Sequence, residues 1–299
     1  MSSKLIAVCF GEVLWDVFPD HEKIGGAPLN VALRMQSLGI ETAMVSRIGD
    51  DHLGREILSF AEDNGLETSC IQVDREFGTG VVNVKLDEKG SATYTIVHPV
   101  AWDKIELTDK AIAMVKKADA FVFGSLVCRD PVSRDTLLKL LPFAKFKIFD
   151  INLRPPHYTM DRIIEMMRLA DFVKCNDEEL EAVCKALGIE GETMGDQIRS
   201  LAAITMTPHF CVTRGSNGAV LLTENKYYEH SGFRVQVKDT VGAGDSFLGA
   251  LTVKLLENEK IDEALAFACA MGAMVAGQEG ANPGIDPEEL ADFRMYNAK

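Results

Sequence analysis

One short run near the C-terminus has residue types and spacing that suit phosphate chemistry, Asp239-Thr240-Val241-Gly242-Ala243-Gly244-Asp245. The apolar stretch from about Ala243 to Leu256 predicts a helix, so this run would form the helix N-terminus. Gly242 and Gly244 let the backbone approach a ligand closely, and the free N–H groups of the first helical turn add to the helix dipole. Together they predict an anion hole for phosphate oxygens.

Asp245 stands at the mouth of this predicted anion hole. The helix dipole would stabilise its charge, and its carboxylate would lie close enough to accept a proton from an alcohol that attacks a bound phosphate. A small-molecule kinase needs this arrangement. The competing interpretation is structural, with Asp245 serving only as a helix cap behind a glycine-rich turn.

The composition is that of a globular chain with an acidic balance. Its 299 residues, 47% of them hydrophobic, can bury a large core. The net charge of −14 argues against a nucleic acid or an anionic membrane as partner, because no run of Lys and Arg supplies a basic face. The seven cysteines are scattered without a C-x-x-C pair, and no signal peptide or membrane span is evident, so we expect a reduced cytoplasmic protein.

Short apolar runs alternate with helical patterns over most of the chain. The runs are continuously apolar, which is typical of strands buried on both faces of a parallel sheet. We therefore predict a three-layer, doubly wound α/β fold with a mostly parallel sheet. The predicted strands are Leu5–Phe10, Thr42–Ile48, Ala120–Gly124, Phe146–Ile151, Phe172–Cys175, His209–Thr213 and Ala219–Thr223, and the predicted helices include Leu29–Leu38, His52–Asn64, Asp109–Lys117, Asp177–Leu187 and Asp262–Ala276.

One region has two strand-like runs with no helix between them. Thr79–Leu86 and Ala92–Val97 alternate around the turn 87–90 and predict a hairpin. With the strand-like Val13–Phe18, the hairpin would form a small sheet standing off the core, and at the carboxyl ends of the strands such a sheet would be a lid over the ligand. We place this lid at about 12–24 and 77–101 of a single domain, 1–299. The hairpin could instead extend an antiparallel edge of the main sheet.

Polar residues near the N-terminus are suited to a sugar. Asp16 follows the first strand, and Asn30 lies in the first turn of a helix that begins after Gly25-Gly26. An acceptor and a mixed donor and acceptor fit hydroxyl groups, which both donate and accept. Each feature in isolation also fits an ordinary turn or a solvated strand end.

The segment Asp150-Ile151-Asn152-Leu153-Arg154 carries polar side chains at alternate positions. An extended chain would direct all three to one side, and Pro155-Pro156 would then end the strand, so they would lie at its carboxyl end. Arg154 can contact a phosphate or a sugar oxygen. A salt-bridged strand terminus would have the same pattern.

Two later segments suit a nucleotide. Asn176 and Glu179 have the spacing of a helix capping box, and Glu179 could also position hydrated Mg²⁺ through water. The segment with Thr213, Gly215 and Gly218 joins two apolar runs and could hold the phosphates or ribose of a nucleotide, or form a plain hairpin turn. Because the chain has no Walker A lysine motif and no third glycine at dinucleotide spacing, a P-loop enzyme and an NAD-linked dehydrogenase are both disfavoured.

In their order along the chain these motifs resemble those of the ribokinase-like, or PfkB-type, carbohydrate kinases over nearly its whole length. Gly25-Gly26-x-x-x-Asn30 is similar to the family's N-terminal signature, and the run 239–245 is similar to its highly specific C-terminal one. Asn176-x-x-Glu179 is similar to the family's Mg²⁺ and phosphate motif. Thr213-x-Gly215 is similar to its nucleotide loop.

The resemblance implies roles for individual residues. Asp245 would be the catalytic base, and the N–H groups of Gly242, Ala243 and Gly244 would form the anion hole. The implied sugar-binding residues are Asp16, Gly26, Asn30, Asn152, Arg154 and Asp245, and the implied nucleotide-binding residues are Asn176, Thr213, Gly215, Gly218, Gly242, Gly244 and Asn282. The implied ligands are a small sugar, ATP and Mg²⁺.

The resemblance also bears on a second metal and on the substrate. The family often binds a monovalent cation, K⁺, and Asp239 with the Val241 carbonyl matches part of that site. Gly11-Glu12-x-Leu14-x-Asp16 and Asp150-x-Asn152-x-Arg154 look most like fructokinases, followed by 2-keto-3-deoxygluconate kinases.

The substrates of these two kinases differ in a carboxylate, which 2-keto-3-deoxygluconate carries and fructose lacks. An acid sugar needs a cation, preferably a guanidinium, yet no arginine occurs between Arg75 and Arg129, the stretch with the predicted lid hairpin. This favours a neutral sugar, with Lys85, Lys89, Lys104 and His98 as the remaining cations, although His157-Tyr158 departs from the fructokinase pattern. The leading hypothesis is therefore an ATP-dependent fructokinase.

The alternatives are another sugar kinase of the same family and a non-catalytic sugar-binding regulator that keeps the kinase fold. Retention of Asp245 and of both neighbouring glycines counts against the regulator. The exposed edges of the small sheet also offer a surface on which two copies of the chain could pair through the lid as a homodimer.

Overall fold

The computed structural model describes residues 4–86 and 92–297. The strands in this part of the chain are β1 (Ile6–Phe10), β2 (Leu14–Val17), β3 (Glu22–Gly25), β4 (Glu41–Gly49), β5 (Glu67–Asp74), β6 (Gly80–Leu86), β7 (Ala92–Ile96), β8 (Ala120–Gly124), β9 (Lys147–Asp150), β10 (Phe172–Asn176), β11 (His209–Thr213), β12 (Ala219–Thr223) and β13 (Lys226–His230). The helices are α1 (Ala27–Ser37), α2 (His52–Asp63), α3 (Asp109–Lys117), α4 (Pro131–Leu140), α5 (Met160–Leu169), α6 (Asp177–Leu187), α7 (Met194–Thr205), α8 (Ala243–Leu256), α9 (Ile261–Ala276) and α10 (Pro287–Tyr296).

The main sheet has nine strands in the order β13-β12-β11-β10-β9-β8-β1-β4-β5. All pairs from β11 to β5 are parallel, whereas β12 and β13 are added antiparallel at one edge. The carboxyl ends of the parallel strands therefore meet at one edge of the sheet, where ligands of open α/β sheets bind. The predicted mostly parallel sheet is confirmed.

Helices cover both faces of the main sheet. Since successive residues of a strand point to opposite faces, each strand contributes side chains to two separate cores. In β1, Ala7 and Cys9 belong to a core shared with α1, α2, α8, α9 and α10, while Val8 and Phe10 belong to a second core shared with α3 to α7. This arrangement confirms the predicted three layers. Among the described residues, no helix has the length and apolar character needed to cross a membrane.

The predicted hairpin is part of a separate, smaller sheet of four strands in the order β3-β2-β6-β7. β2 pairs antiparallel with β3 and parallel with β6, and β6 pairs antiparallel with β7. The hairpin therefore does not extend an edge of the main sheet. The turn 87–90 predicted between its strands lies outside the described residues.

Candidate active site

The candidate residues converge because the segments that carry them leave the same edge of the main sheet. Glu12 follows β1, Asp150 ends β9, Asn176 ends β10 and Thr213 ends β11. Helix α8 contributes its N-terminus, and α1 packs beside it and contributes Asn30. The structure thus brings together several carboxylates, several amides and an open helix end.

Helix α8 begins at the glycine-rich run, as predicted. Its N-cap residue Gly242 has a left-handed backbone with φ of 75°, and a Cβ at this position would come within 2.5 Å of Ala281. Only glycine tolerates both conditions. No side chain caps the helix, and in the described part of the chain the N–H groups of Gly244 and Asp245 have no acceptor. The N–H of Ala243 donates to the Thr240 carbonyl at 3.3 Å, so it is less open than predicted.

Asp245 is partly buried at the start of α8, and its orientation is fixed by α1. The Nδ2 of Asn30 donates to Asp245 Oδ2 at 2.8 Å. Burial raises the pKa of Asp245 above its ordinary value, and the Asn30 hydrogen bond together with the charges of Lys174 and Arg154 opposes this shift. A carboxylate with a raised pKa is a better proton acceptor than an ordinary aspartate.

Asn282 continues this hydrogen-bonded chain. Its Nδ2 donates to Asn30 Oδ1 at 2.7 Å, so the order is Asn282, Asn30, Asp245. Asn30 is buried and keeps one further donor and one further acceptor position for a sugar hydroxyl. The sequence grouped Asn282 with the nucleotide, whereas the structure places it against the predicted sugar residue Asn30.

Asp16 and Gly26 lie at the junction of the small sheet with α1. Burial raises the pKa of Asp16 to about 6, while the charges of Arg154 and Lys23 oppose this shift. A Cβ on Gly25 would come within 2.7 Å of Asp16 Oδ2. Gly26 is the N-cap residue of α1 with φ of 115°, and a Cβ there would come within 2.5 Å of the Glu12 carbonyl. The glycine pair is therefore required by close packing as well as by backbone conformation.

The segment after β9 differs from its prediction. The strand ends at Asp150, and Asn152 adopts a positive φ of 39°, so Asp150, Asn152 and Arg154 do not line one side of an extended chain. Asn is one of the few residues that adopt this conformation at low cost. Ser125 donates to the Asn152 carbonyl at 3.2 Å, and Arg154 is exposed and donates to the carbonyl of its neighbour Leu153.

Asp150 pairs with a residue that the sequence did not single out. Lys174 Nζ lies 3.0 Å from Asp150 Oδ2, and both side chains are buried. Burial raises the pKa of Asp150 to about 6, against the opposing charge of Lys174. Burial alone would lower the pKa of Lys174, but Asp150, Glu179 and Asp245 together raise it, so the ammonium stays charged. A Cβ built on Gly244 would lie 3.4 Å from Lys174 Nζ, which places this charge beside the anion hole.

Asn176 and Glu179 form the predicted capping box at the start of α6. Asn176 Oδ1 accepts from the Glu179 N–H at 2.8 Å, and Glu179 Oε2 accepts from the Asn176 N–H at 2.9 Å. The other Glu179 oxygen accepts from the Leu153 N–H at 2.7 Å. Glu179 therefore ties α6 to the segment after β9, and each of its oxygens keeps a lone pair for a water.

The loop after β11 is the hairpin turn that the sequence offered as one alternative. Thr213 pairs with Asn176 across neighbouring parallel strands, and a single helical turn at Gly215–Asn217 leads into the antiparallel β12. Gly218 has φ of 77°, and a Cβ there would collide with the His230 carbonyl. Thr213 and Asn176 thus stand side by side at the sheet edge.

Asp239 organises the loop before α8. Its Oδ1 accepts from the Val241 N–H at 3.0 Å and its Oδ2 accepts from the Gly280 N–H at 3.1 Å. Lys23 Nζ of the small sheet lies 3.9 Å from the same carboxylate. Within the described ranges, no group of three or more His, Cys, Asp and Glu side chains is arranged to hold a metal ion.

Besides Lys174, the sequence did not identify two further buried residues of the site, Glu12 and Arg34. Glu12 is fully buried, and in the described residues its Oε2 has no hydrogen-bond partner. Arg34 lies under α8, where its Nε contacts Ser246 Oγ at 3.2 Å and its second terminal nitrogen donates to the Pro283 carbonyl at 3.0 Å. A charged residue within the apolar face of a predicted helix is the signal that could have identified Arg34.

This fold and this order of motifs match the family model of the pfkB family carbohydrate kinases over residues 4–288, and the chain therefore belongs to that family. It is a phosphotransferase with a sugar acceptor. Among curated proteins it is similar to a fructokinase of Solanum tuberosum, with 29% identity over 97% of this chain and 95% of the relative. It is also similar to fructokinase-1 of Oryza sativa subsp. japonica, with 28% identity over 98% of each chain.

Solved structures share the fold over nearly the whole chain. The fructokinase of Vibrio cholerae O395 with bound fructose, ADP and calcium superposes with a TM-score of 0.83 at 25% identity, covering 98% of this chain and 99% of the other. The aminoimidazole riboside kinase of Salmonella enterica, complexed with its riboside and an ATP analogue, has a TM-score of 0.79 at 26% identity, covering 97% and 99%. The chain is thus similar to kinases with different sugar acceptors.

Proposed function

We propose that the protein is an ATP-dependent fructokinase in which Asp245 is the general base. The observation that carries this proposal is the position of the Asp245 carboxylate at the open N-terminus of α8, where Asn30 orients it. Curated relatives over the full length are named fructokinases, and one similar solved structure holds fructose and ADP. Asp245 would remove the proton of the 6-hydroxyl as this oxygen attacks the γ-phosphate in line.

The residues around α8 fit a nucleotide triphosphate. Gly242 allows a close backbone approach to Ala281 that any Cβ would prevent, and the N–H groups of Gly244 and Asp245 are free to donate to phosphate oxygens. Each well-placed donor of this kind is typically worth about 3 kcal/mol of transition-state stabilisation. The charged Lys174 adds positive potential beside this hole. Asn176, Thr213, Gly215 and Gly218 would contact the rest of the nucleotide.

We assign the metal ions by the chemistry of the available oxygens. Mg²⁺ bound with ATP neutralises phosphate charge, and it is usually held by phosphates, waters and one or two carboxylates. Glu179 would hold it through a water, which agrees with the lone pairs its oxygens keep. Asp239 and the Val241 carbonyl would contribute to a K⁺ site beside the anion hole.

We assign the sugar to the pocket between the small sheet and α1, with Asp16, Gly26, Asn30, Asn152 and Arg154 as its contacts. The small sheet, within about 12–24 and 77–101, would act as a lid that excludes water and suppresses ATP hydrolysis. Its edges would support a homodimer. All seven cysteines are free and buried, which fits our assignment to the reducing cytoplasm.

The test is ADP release from Mg-ATP with fructose, tagatose, ribose, adenosine and 2-keto-3-deoxygluconate. We expect fructose to give the highest kcat/KM, and we expect Asp245→Asn to lower kcat by about 10²- to 10⁴-fold with little change in sugar affinity. Asp262→Asn is the matched control, because Asp262 is an exposed carboxylate in the first turn of α9. Near-normal turnover of Asp245→Asn would contradict the assignment of Asp245 as the general base. Sugar binding without turnover in the wild type would favour a non-catalytic regulator.

A further inference from the structure

A cavity lies between the segment that follows β7 and the start of α5. Its volume is about 190 Å³, and its basic lining residues are His98, Arg129, His157 and Arg162. His98 follows β7, whereas His157 comes three positions after Arg154 at the carboxyl end of β9. In a chain with a net charge of −14, a cavity lined by two arginines and two histidines is unusual.

Arg129 is the buried part of this lining. Its side chain is only 3% exposed, and two of its nitrogens contact the two oxygens of Asp103 at 2.7 and 2.8 Å. The guanidinium also stacks over Trp102 at 4.0 Å. Its remaining terminal nitrogen is buried and has no partner among the described residues. An unpaired guanidinium N–H costs free energy unless a ligand accepts from it.

The second guanidinium of the cavity, that of Arg162, is also available. Arg162 has no ion pair in the part of the chain that the structure describes. Burial lowers the pKa of His157, and the neighbouring charges of Arg129 and His98 lower it further, which reports a positive potential. Of the acids near the cavity, Asp103 is held by Arg129, and Asp130 is engaged by Lys104 at 2.7 Å and by His98 at 3.6 Å.

The backbone adds to this potential. Helix α5 begins at the cavity, with the lining residue Thr159 as its N-cap. The positive end of its dipole is therefore added to the side-chain charges, and helix N-termini favour anions. Two independent features, a buried guanidinium with one unpaired nitrogen and a helix N-terminus, thus meet in one cavity.

We propose that this cavity binds a small oxyanion, a carboxylate or a phosphate, beside the acceptor sugar. Planar guanidinium groups are the preferred partners of both anions. The anion has two possible sources with the same chemistry, an acidic group carried by the sugar itself or a free phosphate ion. The preference for a neutral sugar rested on the absence of arginine between Arg75 and Arg129, yet Arg129 itself donates to the Val97 carbonyl just after β7.

The test measures binding of inorganic phosphate by calorimetry at constant ionic strength, without ATP, so that it does not depend on the kinase assignment. We expect saturable binding in the wild type and about 10-fold weaker binding in Arg162→Gln, since one charge-assisted hydrogen bond is lost. Arg168→Gln is the matched control, because Arg168 is exposed in the last turn of the same helix. A second variant, His157→Gln, should also weaken binding, and thermal unfolding would verify that both variants fold.

Tryptophan fluorescence gives a local signal for the same event. The chain has two tryptophans, so Trp15→Phe leaves only Trp102, which stacks on Arg129. Phosphate should change the Trp102 emission in this background. Displacement of phosphate by 2-keto-3-deoxygluconate but not by fructose would identify the anion as part of the substrate, and displacement by neither would identify a free ion. Equal phosphate binding in wild type and Arg162→Gln, or equal weakening in Arg168→Gln, would overturn the proposal.

Discussion

At the scale of single residues, the site contains buried carboxyl groups whose loss of hydration is only partly offset by hydrogen bonds and by neighbouring positive charges. Asp245, Asp16, Asp150 and Glu12 all have pKa values raised by burial. Their types and spacing made Asp245 and Asp16 recognisable in the sequence. The sequence did not identify Glu12 or Lys174 as site residues. A local pattern does not reveal that a side chain will be enclosed by residues distant in the chain.

The hydrogen bond from Asn30 should tune the base. Because this bond stabilises the charged form of Asp245, Asn30→Ala should raise the Asp245 pKa and move the acid limb of the kcat/KM profile to higher pH. A hydrogen bond to a charged group is worth about 1.5 kcal/mol, so a shift of about one pH unit is expected. Asn282→Ala keeps the Asn30 contact and should shift the limb less. Identical profiles for wild type and Asn30→Ala would contradict this role.

Glu12 should make stability depend on pH. Burial raises its pKa from 4.5 to about 7, with Arg154 and Arg129 opposing the shift. The folded protein therefore holds a proton that the unfolded chain releases, so this contribution to stability is complete below pH 4.5 and is lost as the pH rises to about 7. Urea unfolding of wild type and Glu12→Gln at pH 5 and pH 8 checks this. We expect Glu12→Gln to gain stability relative to wild type at pH 8, on the order of 3 kcal/mol, and a pH-independent difference would disprove it.

At the scale of elements, periodicity predicted the central strands and failed at the edges. The seven predicted strands of the main sheet occur with ends within one residue of the prediction. The two edge strands, β5 and β13, were not predicted. Polar residues at their exposed positions interrupt the continuous apolar run by which the other strands were recognised. α4, α5, α7 and α10 were not predicted either, and the small sheet was predicted without β3.

The capping box of α6 allows the structural and nucleotide roles of Asn176 to be separated. Asn176→Ala should cost about 1 kcal/mol of stability through lost capping, and it should also weaken ATP binding if Asn176 contacts the nucleotide. Thr193→Ala is the matched control, since Thr193 caps α7 through its side chain and belongs to no candidate site. Denaturant unfolding measures the stability of both variants, and titration with ATP measures their nucleotide affinity. Equal ATP affinity in the two variants would show that Asn176 serves only as a helix cap.

At the scale of the whole molecule, the sequence predicted the layers and the separate sheet, while their relative placement came from the structure. Alternating strand residues fill two cores, one on each face of the main sheet. The small sheet carries Lys23, which approaches Asp239. No local pattern could predict a contact between segments so far apart in the chain.

If the small sheet is a lid, sugar should slow its backbone exchange. We expect fructose to protect amides of β2 and β6 from hydrogen–deuterium exchange, because closure removes them from solvent. Amides of β11 and β12 in the main sheet serve as the internal control and should not respond. Unchanged exchange in β2 and β6 at saturating sugar would contradict lid closure.

The contact between Asn282 and Asn30 joins residues that are 252 positions apart. During synthesis the N-terminal half of the molecule, including α1, leaves the ribosome long before Asn282 and α8 exist. The hydrogen-bonded chain that orients Asp245 is therefore complete only after Asn282 has been synthesised. The alignment of the proposed base thus depends on a segment that is made late, and a truncation that removes Asn282 should loosen this alignment.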